Sequence, residues 1–297
     1  ITPSSTLRVG EVAANALLSR VYLYMEKYEE CIAAADEVMA GTYSVVDLNG
    51  WTAGQNVISW TSPETIFTQG GNAVAGTFLN YSTAWVLQNG SYVQQNQSLS
   101  YQVSEDLLAC YADGDLRRTA FFKNSLHAFI PDKYKTWTNY NDEDEIGADF
   151  LIRLPEVILN KAEALAMLTR DGDAKTELEK LRSKRFAAAP AVTETGGALI
   201  DFIREERRRE LCFEGHRWFD LRRYAVNGVR PFEKEIYHKS VLYSNKTITT
   251  EGEYVLKPYS QDKAAYVLPI PDDAIDFNKG NLSNEVRPER TLQPLNN

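Results

Sequence analysis

The stretch from Ile203 to Arg223 holds the densest set of reactive side chains in the sequence. Between residues 204 and 223 lie seven arginines, five carboxylates and His216. Glu214, His216 and Asp220 have the types of a general acid, a base and an orienting group, the equipment of a glycosidase built on paired carboxylates. The arginines could instead meet phosphates. However, opposite charges here recur three or four residues apart, the spacing that brings side chains together on one helix face. Arg207 is therefore expected to pair with Glu210, and Arg217 with Asp220. Leu199, Phe202, Ile203, Leu211, Phe213, Trp218 and Leu221 interleave with these charges and read as core. The expectation is a partly buried structural ion-pair network of Arg207, Glu210, Glu214, Arg217 and Asp220, with no catalytic residue.

A second constellation is uncharged. Asn80-Tyr81-Ser82-Thr83-Ala84-Trp85-Val86-Leu87-Gln88-Asn89-Gly90-Ser91-Tyr92 and Lys135-Thr136-Trp137-Thr138-Asn139-Tyr140 mix flat aromatics with amides and hydroxyls. A neutral sugar is held in this way, its apolar ring face on an aromatic and its hydroxyls on polar side chains. Tyr81, Trp85, Asn89, Tyr92, Trp137 and Tyr140 are the candidate contacts. The same aromatics would also serve simply to pack loops onto a scaffold.

Metal and cofactor chemistry finds little to build on. His127, His216 and His238 have no histidine or cysteine at ligand spacing, and Asn141-Asp142-Glu143-Asp144-Glu145 lacks the alternating ligands and central glycine of an EF-hand. No phosphate loop, dinucleotide fingerprint, nucleophile elbow or zinc-protease motif occurs. No metal and no cofactor is expected.

The elements that must position these groups are mainly helical. Ala13, Leu17, Val21, Tyr24, Tyr28, Ile32, Ala35 and Met39 recur at the helical period, with a polar break at Glu26-Lys27 and a stop at Gly41. Residues 7–43 thus read as a helical hairpin of tetratricopeptide size. A second hairpin begins at Pro155, has Ile158, Ala162, Leu165 and Thr169 on one face, turns at Asp171-Gly172-Asp173, and continues through Ala174, Leu178 and Leu181. After Gly196-Gly197, helices are expected from about Ala198 to Phe213 and from His216 to Tyr224.

Residues 44–150 form an insertion of different composition, rich in Asn, Gln, Gly, Ser and Thr and holding Trp51, Trp60, Trp85 and Trp137. Mostly loops are expected there, with a strand at Glu64-Thr65-Ile66-Phe67, a helix start near Ser104 and a turn at Asp113-Gly114-Asp115. Residues 151–226 hold the second hairpin and the charged helix, and 227–297 a Pro- and Asn-rich tail with an extended Tyr266-Val267-Leu268-Pro269-Ile270-Pro271. The fold class is mostly α: a tetratricopeptide-like helical scaffold, a single domain over 1–297, carrying a long irregular insertion.

Composition narrows the function. A net charge of −9 disfavours nucleic acid and anionic membrane surfaces as partners. Cys31, Cys110 and Cys212 are too few and too scattered for a disulfide framework. No run of about 18 apolar residues is available to span a bilayer. The first residue is Ile1 and no signal-peptide pattern follows, so residues preceding this segment are expected, and with them apolar surface left open on the first hairpin.

The order of these segments resembles the SusD/RagB family of outer-membrane glycan-capture lipoproteins. The likeness is carried by Arg8-Val9-Gly10-Glu11 through Leu23-Tyr24 and on to Ala33-Ala34-Ala35-Asp36-Glu37; by Leu159-Asn160-Lys161-Ala162-Glu163-Ala164 through Leu181-Arg182; by Ile203 to Arg223; and by Leu268-Pro269-Ile270-Pro271 with Asn278 and Asn284. Pro63-Glu64-Thr65-Ile66-Phe67 and Asp113-Gly114-Asp115-Leu116-Arg117 also sit where such proteins have similar segments. Ser283-Asn284-Glu285-Val286 departs from the usual Gln-Asn-Pro-Gly.

The resemblance implies a non-enzymatic protein at the cell surface, in the outer membrane, that binds an oligosaccharide or polysaccharide and hands it to a SusC-like TonB-dependent transporter barrel. It also implies a lipid anchor and first helices in the part upstream of this chain. Because the binding loops differ between family members, it transfers no sugar contact. A glycosidase, and a tetratricopeptide-like protein-interaction module without a small ligand, are the alternatives.

Overall fold

The computed structural model describes residues 5–52, 55, 57–71, 73–74, 85–88, 91–94, 102–125, 128–134, 148–244 and 247–295. They divide into two compact units, Ile1–Glu214 and Gly215–Asn297.

The first unit opens with α1 (Glu11–Tyr24) and α2 (Tyr28–Met39), joined where Glu26 takes a left-handed φ of 57°. β1 (Thr65–Phe67) follows, then a hairpin of β2 (Trp85–Gln88) and β3 (Ser91–Gln94). Two single-turn helices, α3 (Glu105–Leu108) and α4 (Arg117–Ala120), precede a second hairpin, β4 (Phe122–Ser125) with β5 (Ala128–Pro131). Ser104 caps α3 as its position predicts, accepting from the Leu107 amide at 3.2 Å. β6 (Ile152–Arg153) pairs antiparallel with β1 and runs directly into α5 (Leu154–Met167), which α6 (Asp171–Arg182) and α7 (Gly196–Glu210) follow.

α5 is the central post of this unit. It packs against α1, α2, α6 and α7, and nearly every one of its side chains is buried. One continuous core joins Ala16, Leu23, Ala35, Leu159, Leu165, Leu178 and Ile203. Alanines at 34, 35, 162 and 164 let the helices approach closely, which is why a sequence of modest hydrophobicity still builds a dense core. A polar relay crosses it: Asn160 donates to Ser19 Oγ at 3.0 Å and accepts from Arg207 Nη1 at 2.7 Å. On α1, Leu17, Leu18 and Val21 are 39–40% exposed and the following Met25 55%.

Two expected boundaries shift. Asp171, Gly172 and Asp173 form the first turn of α6 and not the connecting turn, which falls at Thr169 with φ 60°. Acidic side chains are favoured in a first turn because they face the positive end of the helix dipole. α7 starts at Gly196, whose amide donates to Asp171 Oδ2 at 2.7 Å, and ends at Glu210; Phe213, expected inside the helix, adopts φ 61°.

The second unit begins with α8 (His216–Ala225) and continues into a long antiparallel hairpin, β7 (Ile236–Ser244) with β8 (Thr247–Leu256). The tail expected at 227–297 therefore contains the longest strands of the described chain. A last short helix, α9, spans Asp272–Phe277. Residues near Gln293 return to the free edge of β8, where Glu253 and Gln293 exchange backbone bonds of 2.9 and 2.8 Å. Gly252 permits this close approach, since a Cβ there would stand 2.4 Å from the Gln293 carbonyl oxygen. Of the Pro-rich segment expected to be extended, Tyr266 instead ends a 3-10 turn, Lys263–Tyr266, and the extended backbone begins at Val267; Asn284 clamps the Ile270 backbone at 2.7 and 2.9 Å, but Leu268 stays 71% exposed.

Among the described residues no helix is long and apolar enough to cross a membrane.

Candidate functional site

The charged stretch does build a buried network, mostly with partners far away in sequence. Glu210, at the end of α7, accepts from Arg153 at 2.7 Å, from Arg185 at 2.8 and 2.9 Å, and from Arg117 at 3.2 Å. Glu214 accepts from Lys133 at 2.5 Å and from Arg153 at 2.7 Å on each oxygen. Arg117 also forks onto Asp115 and lies 2.7 Å from Glu206. Burial alone would raise the Glu210 carboxyl, but the guanidinium groups of Arg185 and Arg153 overcome it and hold the group well below the usual carboxylate range.

Arg207, expected to serve Glu210, is directed to Asn160 and lies 3.9 Å from Glu156. The inner face of α7 is dry, and Glu210 there draws donors from other segments. A buried carboxylate needs charged donors on several sides, and one helix alone cannot supply them all. In α8, Asp220 accepts from Arg223 Nε at 2.8 Å, with Arg217 one turn earlier on the same helix. Glu214 and Asp220, the pair a glycosidase would use, are thus both engaged in ion pairs.

The network also shapes a surface. Glu64, the residue before β1, binds Arg153 at 2.9 Å and Arg185 at 3.2 Å and accepts from the Val46 amide at 3.1 Å. Arg185 Nη1 in turn donates to the Val46 carbonyl at 2.5 Å. The backbone at Val46 is therefore held on both its N–H and its C=O by fully buried charges. Next to it, Asp47 binds Lys184 at 2.8 Å and caps Asn49, and the hydrogen bonds from Lys184 and Asn49 hold its carboxyl down at about 2.

These pinned residues form one wall of a cleft of about 770 Å³ whose lining includes Asp47, Trp51, Gln55, Ser59, Thr61 and Ser62. Trp51 is half-buried. Its ring packs beside the cluster of Leu48, Val57 and Phe121, and its Nε1 donates to the Gln55 carbonyl at 2.7 Å, which fixes the indole. The Ser62 hydroxyl is buried without a hydrogen-bond partner. An aromatic wall among hydroxyl, amide and carboxylate groups suits a neutral polyol ring.

Of the six aromatic and amide candidates, Tyr81, Asn89, Trp137 and Tyr140 lie outside the described residues. Trp85 and Tyr92 sit in the β2–β3 ladder, opposite Gln94 and Leu87, two rungs apart. Sequence reasoning groups Trp51 with the insertion's tryptophans without singling it out. Its signal is the Trp51-to-Gln55 spacing beside Ser59-Trp60-Thr61-Ser62, but the wall formed by residues 44–47 comes from tertiary pinning.

Solved structures match this architecture over almost the whole chain. A SusD superfamily protein from Bacteroides thetaiotaomicron is 24% identical with a TM-score of 0.65, covering 93% of this chain and 60% of that one. A SusD-like carbohydrate binding protein from Bacteroides vulgatus is 21% identical with a TM-score of 0.62, covering 94% and 60%. Surface glycan-binding protein A from Bacteroides thetaiotaomicron is 20% identical with a TM-score of 0.59, covering 94% and 64%. The chain thus spans about 60% of the length of the first two. At these identities the likeness defines the class of fold, a mostly α, tetratricopeptide-like scaffold of the SusD type. The SusD family model matches residues 63–286, well over half the sequence, and the chain belongs to the SusD family. No curated protein sequence gives a significant match.

Proposed function

We propose that this chain is the glycan-binding part of a non-enzymatic nutrient-capture protein. The observation that carries the reading is the Trp51 cleft, a half-buried indole among Asp47, Gln55, Ser59, Thr61 and Ser62, in a chain of the SusD family. The relatives described as a SusD-like carbohydrate binding protein and as a surface glycan-binding protein support the same ligand class. Tyr81, Trp85, Asn89, Tyr92, Trp137 and Tyr140 remain candidate contacts for the same glycan, each to be tested by substitution. The protein would act at the cell surface, in the outer membrane, and deliver its oligosaccharide to a SusC-like TonB-dependent transporter.

Affinity electrophoresis and calorimetry against a panel of neutral oligosaccharides and polysaccharides test this. Binding that Trp51→Ala weakens at least about tenfold is expected, because an aromatic stacking partner contributes on the order of 1 kcal/mol or more beyond burial. Absence of binding to every glycan in the panel would overturn the assignment. So would hydrolysis of a bound glycan that is abolished by Glu214→Gln in a folded variant, which would make the protein a glycosidase.

A further inference from the structure

The second unit contains its own cavity, of about 520 Å³, within the size range of small-molecule sites. It lies beside β8 and the returning segment around Gln293. Its lining includes Tyr237, Glu253, Val255, Asp262, Arg290 and Gln293.

The charged groups of this lining are unevenly partnered. Lys257 donates to Glu235 at 2.6 Å, Tyr237 OH also donates to Glu235, and Arg290 donates to Asp262 Oδ2 at 2.6 Å. Gln293 spends its amide N–H on Thr291 at 2.9 and 3.3 Å, which leaves only its Oε1 acceptor to the cavity. Glu253 and Asp262 are each only 7% exposed, and one oxygen of each, Glu253 Oε1 and Asp262 Oδ1, is buried without a hydrogen-bond partner. Each cation of the lining is thus paired with a carboxylate, while two buried carboxylate oxygens have no partner.

Charge points the same way. The lining holds four carboxyl side chains, Glu235, Glu253, Asp262 and Glu289, against the two cations Lys257 and Arg290. A hydrogen bond to Glu235 first, and the field of Glu253 in addition, raise the Tyr237 phenol above its ordinary value. Buried acceptors of this kind call for a donor that also carries positive charge. A divalent metal would need six or more converging oxygens, whereas no group of three carboxylate, histidine or cysteine side chains among the described residues could hold one. An ammonium group has three donors and needs only three acceptors. Tyr237, Val255, Pro288 and Pro294 add the apolar surface against which a ring could lie.

We propose that this cavity is a binding site for an amino sugar with a free amine, its ammonium received by Glu253 and Asp262. The assignment stands apart from the reading of the Trp51 cleft, since the two sites lie in different units and each ligand can be measured without the other.

Calorimetric titration of the whole chain at about pH 6.5, where the amine is protonated, tests it with the β-1,4 disaccharide of glucosamine and its N,N′-diacetylated form. The free amine is expected to bind at least about tenfold more tightly than the acetylated one, because a charge-assisted pair is lost on acetylation. Glu253→Gln and Asp262→Asn, each checked for native circular dichroism and melting, should weaken it by a similar factor. Equal affinity for the two disaccharides, or binding of neither, would overturn the site even if both variants failed to fold. So would free-amine binding untouched by both variants, which marks general attraction to a chain of net charge −9. Calcium binding that both variants abolish, without disaccharide binding, would reassign the cavity to a metal.

Discussion

Arg185 grips Glu210 through both carboxylate oxygens, Nε to Oε2 at 2.9 Å and Nη2 to Oε1 at 2.8 Å, and neither residue has any measurable side-chain exposure. The fork joins the segment after α6 to the end of α7. Through Arg185 Nη1 it reaches the Val46 carbonyl, and so couples the helical core to the wall of the Trp51 cleft.

Removing one side of a buried pair leaves an uncompensated charge, so Glu210→Gln should cost about 3–5 kcal/mol in guanidinium unfolding. Arg185→Lys should lose much of the same stability, because an ammonium cannot reproduce the fork. A Glu210→Gln variant within about 0.5 kcal/mol of the parent would show that the network contributes little.

Acid should attack the same region. Burial would raise the Glu206 carboxyl, but Arg117, Arg209 and Arg182 lower it to about 2 from an ordinary 4.5. A folded value below the unfolded one contributes stability that is complete above about 4.5 and is lost as pH falls through that value towards 2, about 3 kcal/mol in all. The urea midpoint should therefore fall below about pH 4.5, and Glu206→Gln should flatten that part of the profile. Parallel profiles for parent and variant would refute it.

Ser62→Ala separates binding from folding. The Ser62 hydroxyl is buried without a partner, so its removal should leave stability unchanged within about 0.5 kcal/mol or raise it slightly. Glycan affinity at the Trp51 cleft should drop if this hydroxyl meets a sugar oxygen. Calorimetry on a variant of native melting temperature decides the point.

Gly252→Ala should free the returning strand. Its methyl would collide with the Gln293 carbonyl, and overpacking of this kind costs about 1–3 kcal/mol. Hydrogen exchange should show the amides of Glu253 and Gln293 losing protection while those of α5 keep theirs. Unchanged protection at Glu253 would mean that the strand accommodates the methyl.

Much of the helical frame is legible in the sequence because helices are specified locally. The three-and-four spacing of Ala13, Leu17 and Val21, the break at Glu26-Lys27 and Pro155 at a helix start each act within one or two turns. The strand at 65–67 and the cap at Ser104 are local signals too. The β7–β8 hairpin carries local signals too, in the strand-forming Ile236-Tyr237 and Tyr254-Val255-Leu256, but these lie in a proline- and asparagine-rich region whose composition favours loop.

By itself, then, the sequence determined which segments are helical, that residues 203–223 must be neutralised by one another or by the rest of the chain, and which family the whole resembles. Only the tertiary structure decided that Glu210 belongs to Arg117, Arg153 and Arg185. It also decided that Val46 is pinned beside Trp51, and that Glu253 and Asp262 line a cavity together. The reason is physical. Periodicity records which face of a helix leaves water, but the partner of a buried charge is set by desolvation, which any donor brought close by the fold can offset at any separation along the chain.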